Sequence, residues 1–223
     1  MELLVVTLAH TAVDKEADGL ARIHLIADTV RNAPGLVTSR FYRSRGQESY
    51  YFLLTTWEDE ESWQNAQERH NPKQLLLGSA MEILIAPPEQ WLMRYLWGYS
   101  RPAAEPILAA AHLATIRADQ AERTQRGWIE SLRRQAVQPA LAFAFLARGM
   151  HEPTALPLEL TATRPVNMPR GDTPYQQGSV FLNLLSWASE ADREEFYANQ
   201  NYVAISRFLS SVGIIQILTL DPL

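Results

Sequence analysis

Apolar and polar positions along the first hundred residues switch repeatedly between two periods. Leu3–His10, "LLVVTLAH", is a short apolar run of strand length. Leu20, Ile23, Ala27 and Val30 then recur at helical spacing, which predicts a helix to about Asn32 with Asp14 as its N-cap. "NAPG" at Asn32–Gly35 stops it, because proline cannot continue a helix and glycine accepts positive φ. Leu36–Arg43 and Tyr50–Trp57 read as strands of a hairpin around "SRGQE". Acidic residues then open a helix over Glu58–His70, where they favour the positive end of its dipole. Trp91–Trp97 closes the unit as a strand.

The order repeats. A shift of 105 carries Leu3 to Leu108, Asp14 to Asp119, Pro34 to Pro139, Leu36 to Leu141 and Arg43 to Arg148. Between Trp57 and Trp187 the shift is 130, so 25 extra residues lie within Gly149–Gly178. Pro153, Pro157, Pro165, Pro169 and Pro174 fall there, and the segment 149–178 reads as a long proline-stiffened loop. "SRPAAEP" at Ser100–Pro106 reads as a linker, giving domains at 1–99 and 107–223. Each βαββαβ unit predicts an α+β, ferredoxin-like antiparallel sheet with both helices on one face. Yet strands such as "ALAFAFLAR" are apolar on both faces, so each sheet needs a second cover. Two sheets packed face to face as a dimeric-type α/β barrel satisfy this. The expected assembly is an internal pseudo-dimer, with pairing between chains and a further homodimer left open.

Composition narrows the partners. A hydrophobic content of 47% with 20% charged residues is globular. The net charge of −5 argues against nucleic acid, which calls for a concentrated basic face. The chain has no cysteine, which excludes disulfides and thiolate metal sites and fits a reducing compartment. The apolar run Leu3–Ala9 is too short to span a membrane, and no basic segment precedes it, so a cytoplasmic location is expected. The five histidines, at 10, 24, 70, 112 and 151, are dispersed, with no i, i+4 pair and no metal motif.

"APGLVTSRFYRS…SYYFLLTTWEDEESW", with Pro34-Gly35, Tyr42, Trp57 and Glu58–Glu61, resembles the antibiotic-biosynthesis-monooxygenase-type domain of the dimeric α/β-barrel superfamily. The likeness covers most of residues 1–97 and is weaker over 107–221, where Trp187 and an acidic helix start survive. It implies a cofactor-independent monooxygenase acting on a small hydrophobic or aromatic substrate inside the barrel. The alternative is a non-catalytic barrel that binds a ligand or dimerises; a third reading is a haem protein. Haem degraders of this type look like an Asn–Trp–His set, and this chain carries Thr7 and Ala66, or His112 and Phe196, at the matching places.

Oxygenation of an activated aromatic needs an apolar cavity, a proton acceptor and polar groups for a developing oxyanion. Two candidate catalytic residues stand out. His112 lies among Ala110, Ala111 and Ala114, and Asn183 shares a strand face with Phe181, Leu185 and Trp187. Tyr51, Arg43, Arg148 and Trp187 are the candidate substrate-binding residues. Each has a structural competitor: a backbone bond for Asn183, a structural or solvent-facing place for His112, surface ion pairs for the arginines, and packing for the aromatics.

Overall fold

In the computed structural model of the chain, which describes residues 2–46, 49–101, 107–137, 141–150 and 178–223, the first unit runs β1 (Leu3–Thr11), α1 (Glu16–Arg31), β2 (Leu36–Ser44), β3 (Ser49–Trp57), α2 (Glu60–Ala66), α3 (Pro72–Ser79) and β4 (Glu89–Ser100). The second runs β5 (Leu108–Arg117), α4 (Ala121–Ala136), β6 (Leu141–Gly149), β7 (Gly178–Trp187), α5 (Glu190–Ala198), α6 (Gln200–Val212) and β8 (Gly213–Pro222). The 25-residue expansion with its prolines, His151, Pro139 and most of the expected linker lie outside the described residues.

The strands form one closed antiparallel barrel in the order β1-β3-β2-β8-β5-β7-β6-β4. Within it each unit keeps the order fourth-first-third-second, the ferredoxin-like arrangement. The two sheets face each other across the interior, and their edges also pair. β4 meets β6 from Met93↔Gly149 to Ser100↔Phe143, while β2 meets β8 only over Tyr42↔Pro222, Arg43↔Asp221 and Ser44↔Leu220. Closure thus occurs within a single chain.

The doubly apolar strands are explained by this geometry. Leu4, Val6, Leu8, Phe52, Leu182 and Leu184 point inward and pack into one core filling the barrel. The alternate residues meet helices: Ile23, Ile26 and Val30 of α1 cover Tyr51 and Leu53, and Trp128 and Leu132 of α4 cover Phe181 and Leu185. Removing such residues from water drives the fold at about 25 cal/mol per Å² of apolar surface.

Several local expectations are corrected. Asp14 does not cap α1; it lies in a 3-10 turn, Val13–Lys15, and the cap position, Lys15, makes no side-chain bond. The helix expected over Glu58–His70 ends at Ala66, and α3 starts anew at Pro72. Proline suits a first helical turn because its missing N–H would have no partner there. The side chain of Asn71 accepts from Lys73 N at 2.9 Å and caps α3. Gly35 does have positive φ, +77°, and a Cβ there would lie 2.5 Å from Ser62 Cβ, so the turn admits no larger residue without a shift.

Candidate functional site

His112 and Asn183 are direct cross-strand partners on β5 and β7. Both are buried, at 3% and 2% exposure. They do not face the barrel interior, where the substrate was expected. Strand alternation turns Ala109, Ala111 and Leu113 inward and leaves His112 with Ala110 and Ala114 on the side covered by helices. Asn183 likewise sits between Phe181 and Leu185 of that outer layer.

Over this pair lie two tyrosines that the sequence reading did not single out. Tyr197, on α5, shares a 3.1 Å hydrogen bond with His112 Nε2, in which either atom can donate. Its ring stacks on the imidazole at 6.0 Å, and Tyr202 of α6 meets the imidazole edge-on at 5.9 Å. Phe196 and Trp187 complete the cluster, Trp187 lying 5.5 Å from Tyr197. A sequence signal existed: in "FYANQNY" the aromatics straddle Asn199, which ends α5 and caps α6 by accepting from Asn201 N at 2.8 Å. Among the described residues, the rings of Tyr197 and Tyr202 lie over His112, with Phe196 and Trp187 beside them.

Burial dominates the electrostatics. It pushes the His112 imidazole down from its ordinary 6.5 to about 4, so the ring is neutral at pH 7. The Tyr197 phenol is pushed up by burial and by the neighbouring Tyr202, and stays protonated. Two polar atoms remain without partners: Asn183 Oδ1 and Trp187 Nε1. A buried group left so costs about 1–3 kcal/mol.

The other expected residues separate. Arg148, near the end of β6, lies over Phe181 at 5.5 Å, bonds Ser179 Oγ at 3.1 Å and pairs with Glu122. It therefore flanks the same outer face as Asn183. Arg43 pairs with Glu16 at 2.8 Å in the first unit, an exposed ion pair of the kind usually worth little. Tyr51 is buried under α1 and donates to Glu16 O at 3.2 Å, against Gly19. Arg43 and Tyr51 thus belong to the first unit's own sheet–helix interface, and not to the His112 face. Among the described residues, no group of three His, Cys, Asp or Glu is placed to hold a metal ion. None of the described helices is long and apolar enough to cross a membrane.

The equivalent place in the first unit is fully bonded. Thr7 pairs with Leu53 and Gln90 as His112 pairs with Asn183 and Ile217. Thr7 Oγ1 accepts from Gln90 at 2.9 Å, Gln90 also donates to Asn71 Oδ1 at 2.9 Å, and Asn71 donates to Gln67 at 2.8 Å. Trp57 Nε1 donates to Thr55 Oγ1 at 3.0 Å, whereas the corresponding neighbour of Trp187 is Leu185.

Residues 3–72 match the family described as antibiotic biosynthesis monooxygenase. The match covers most of the first unit, which is thus similar to an antibiotic-biosynthesis-monooxygenase-type domain. The second unit repeats its strand order, and together the two build one closed α+β barrel. No curated protein sequence matches the chain. Solved structures similar to this barrel include an anthrone oxidase-like protein, 12% identical over 100% of this chain and 91% of that one, with a TM-score of 0.73. A candidate monooxygenase of Fusobacterium nucleatum is 8% identical over 100% and 92%, at 0.69. Another, of Lactobacillus acidophilus, is 6% identical over 99% and 93%, at 0.63. At such identities the likeness is one of fold.

Proposed function

We propose that the chain is a cofactor-independent monooxygenase whose substrate, a small phenolic aromatic carrying an activated C–H, binds between sheet and helices of the second unit. One observation carries this reading: the His112–Asn183 pair has unpartnered polar atoms beside it, where the equivalent place in the first unit has none. Asn183 Oδ1 is an acceptor for a substrate hydroxyl, and the Trp187 N–H is a donor for an oxyanion.

The chemistry follows from the groups. Neutral His112 takes the proton from the activated carbon. Its low pKa makes it a weak base alone, but the anion formed beside it in a buried site stabilises the imidazolium and raises that pKa. The carbanion passes one electron to O2, the radical pair combines to a hydroperoxide, and loss of water leaves a ketone. The balance is CH2 + O2 to C=O + H2O, with the substrate supplying all four electrons. Tyr197 and Tyr202 occupy the space that a substrate ring needs, so binding exchanges their stacking for the ligand's. A haem does not fit these residues: His112 Nε2 is held by Tyr197, and aromatic rings fill the volume.

Oxygen uptake with a panel of anthrone-type phenols tests the reading. Turnover is expected, falling at least about 100-fold in His112→Leu with loss of the general base, and about 10-fold in Asn183→Leu with loss of the acceptor for the substrate hydroxyl. Binding without uptake across the panel would support the non-catalytic barrel instead. Uptake unaffected by both substitutions would remove the site, and a Soret band on haem titration would favour the haem reading.

A further inference from the structure

The mouth of the barrel carries a second constellation, independent of the site above. Between β2, β3, β4 and β6 opens a cleft of about 460 Å³, and a neighbouring one of about 230 Å³ reaches Ser186 and the end of β8. Arg40 lines both. The clefts exist because the two barrel seams differ: β4 and β6 stay paired to Ser100↔Phe143, whereas β8 leaves β2 beyond Tyr42↔Pro222, with one further bond from Leu223 N to Phe41 O.

The chemistry around Arg40 is specific. Its guanidinium carbon lies 4.4 Å over the Phe143 ring, a cation–π contact that holds the charge at the aromatic wall. Among the described residues no carboxylate pairs with it, although Glu2 also lines the larger cleft. Its neighbour Tyr42 is buried at the inner wall. Ser186, cross-strand partner of Phe143, has a buried Oγ with no partner. Tyr95 stands edge-on to Phe145 at 5.3 Å, and its hydroxyl is tied to Thr56 at 3.0 Å, which gives the cleft a rigid aromatic wall.

We infer that the barrel mouth is a binding site for a planar aromatic carboxylate, with the carboxylate held by Arg40 and Ser186 and the ring against Phe143, Phe145 and Tyr95. The fork of an arginine matches a carboxylate in two parallel hydrogen bonds, and Phe143 already holds the Arg40 guanidinium at the cleft. A neutral aromatic of the same shape keeps the wall contacts and loses the fork.

Calorimetric titration of the full chain with 2-naphthoate tests this, with 2-naphthylmethanol as the neutral probe. 2-Naphthoate should bind at least about 10-fold more tightly than the alcohol, and the advantage should shrink with added salt. Arg40→Gln should remove that advantage, Arg40→Lys should keep part of it because charge survives without the fork, and Ser186→Ala should cost about 3-fold. Unchanged thermal melting of Arg40→Lys and Ser186→Ala separates a lost site from a lost fold. Equal affinity for the two probes, or 2-naphthoate binding unaltered by Arg40→Gln, would overturn the assignment. Loss of binding in Asn183→Leu with none in Arg40→Gln would place the ligand under the helices of the second unit, and so also overturn it.

Discussion

The two units share strand order, a strand-end tryptophan and a capping asparagine between short helices, yet they treat the same place on the sheet in opposite ways. In the first, Thr7, Gln90, Asn71 and Gln67 bond one another in a chain, and Trp57 spends its N–H on Thr55. In the second, an imidazole replaces the threonine, an amide replaces Leu53, and aromatic rings replace the amide chain, leaving Asn183 Oδ1 and the Trp187 N–H without partners. A stable interface satisfies its buried polar groups; a site built to hold a ligand leaves some for it. On the reading proposed above, the first unit is the structural half of the barrel and the second carries the chemistry.

Acid should break the symmetry most. Above pH 6.5 His112 is neutral both folded and unfolded. Between 6.5 and about 4 the unfolded chain binds a proton that the folded one excludes, so stability falls as pH falls. The loss reaches about 3 kcal/mol near pH 4, at about 1.4 kcal/mol per pH unit. Urea unfolding of the wild type and of His112→Gln at pH 7 and pH 4.5 isolates it: the variant gains on the wild type as pH drops. A difference that stays constant between the two pH values would contradict the buried neutral imidazole.

The polar chain of the first unit should show next. Asn71→Ala removes the cap of α3 and strands both Gln90 and Gln67, and should cost about 2 kcal/mol. Oxygen uptake by the folded variant should be unchanged. If uptake collapses while the fold survives, chemistry resides in the first unit and the assignment of roles is reversed.

The tryptophans give the smallest and cleanest contrast. Trp57→Phe loses a bonded N–H and leaves Thr55 Oγ1 with only the 3.4 Å contact to Val5 O, whereas Trp187→Phe discards an N–H that has no partner. Both lose similar ring packing, so Trp57→Phe should be more costly by about 1 kcal/mol. Chemical denaturation of the two variants measures the difference directly, and equal losses would mean that the Trp187 N–H is satisfied in solution.

Much of this was legible in the residues. Duplication showed in the recurring strand–Trp–acidic junction, and the need for a doubly covered sheet showed in "ALAFAFLAR". His112 and Asn183 were conspicuous as polar residues inside apolar strands, and they proved to be neighbours. Tyr197 and Tyr202 were not conspicuous, because an aromatic on a short amphipathic helix has the pattern of any core residue. The sequence placed a helix end at His70, but the end at Ala66 and the new helix from Pro72 went unread, because helical composition runs through both and the Asn71 cap marks the restart.

What the sequence by itself determined is the alternation: which residues share a face, where strands end, and that both faces of each sheet must be buried. It could not label those faces. When both are apolar, period-two patterning is the same whether a residue points into the barrel or under a helix. That choice belongs to closure, since the curvature of the β1-β3-β2-β8-β5-β7-β6-β4 barrel turns one face inward and leaves the other for the helices. The tertiary structure therefore decided that His112 and Asn183 lie beneath Tyr197 and Tyr202, and that Arg40 stands at the barrel mouth.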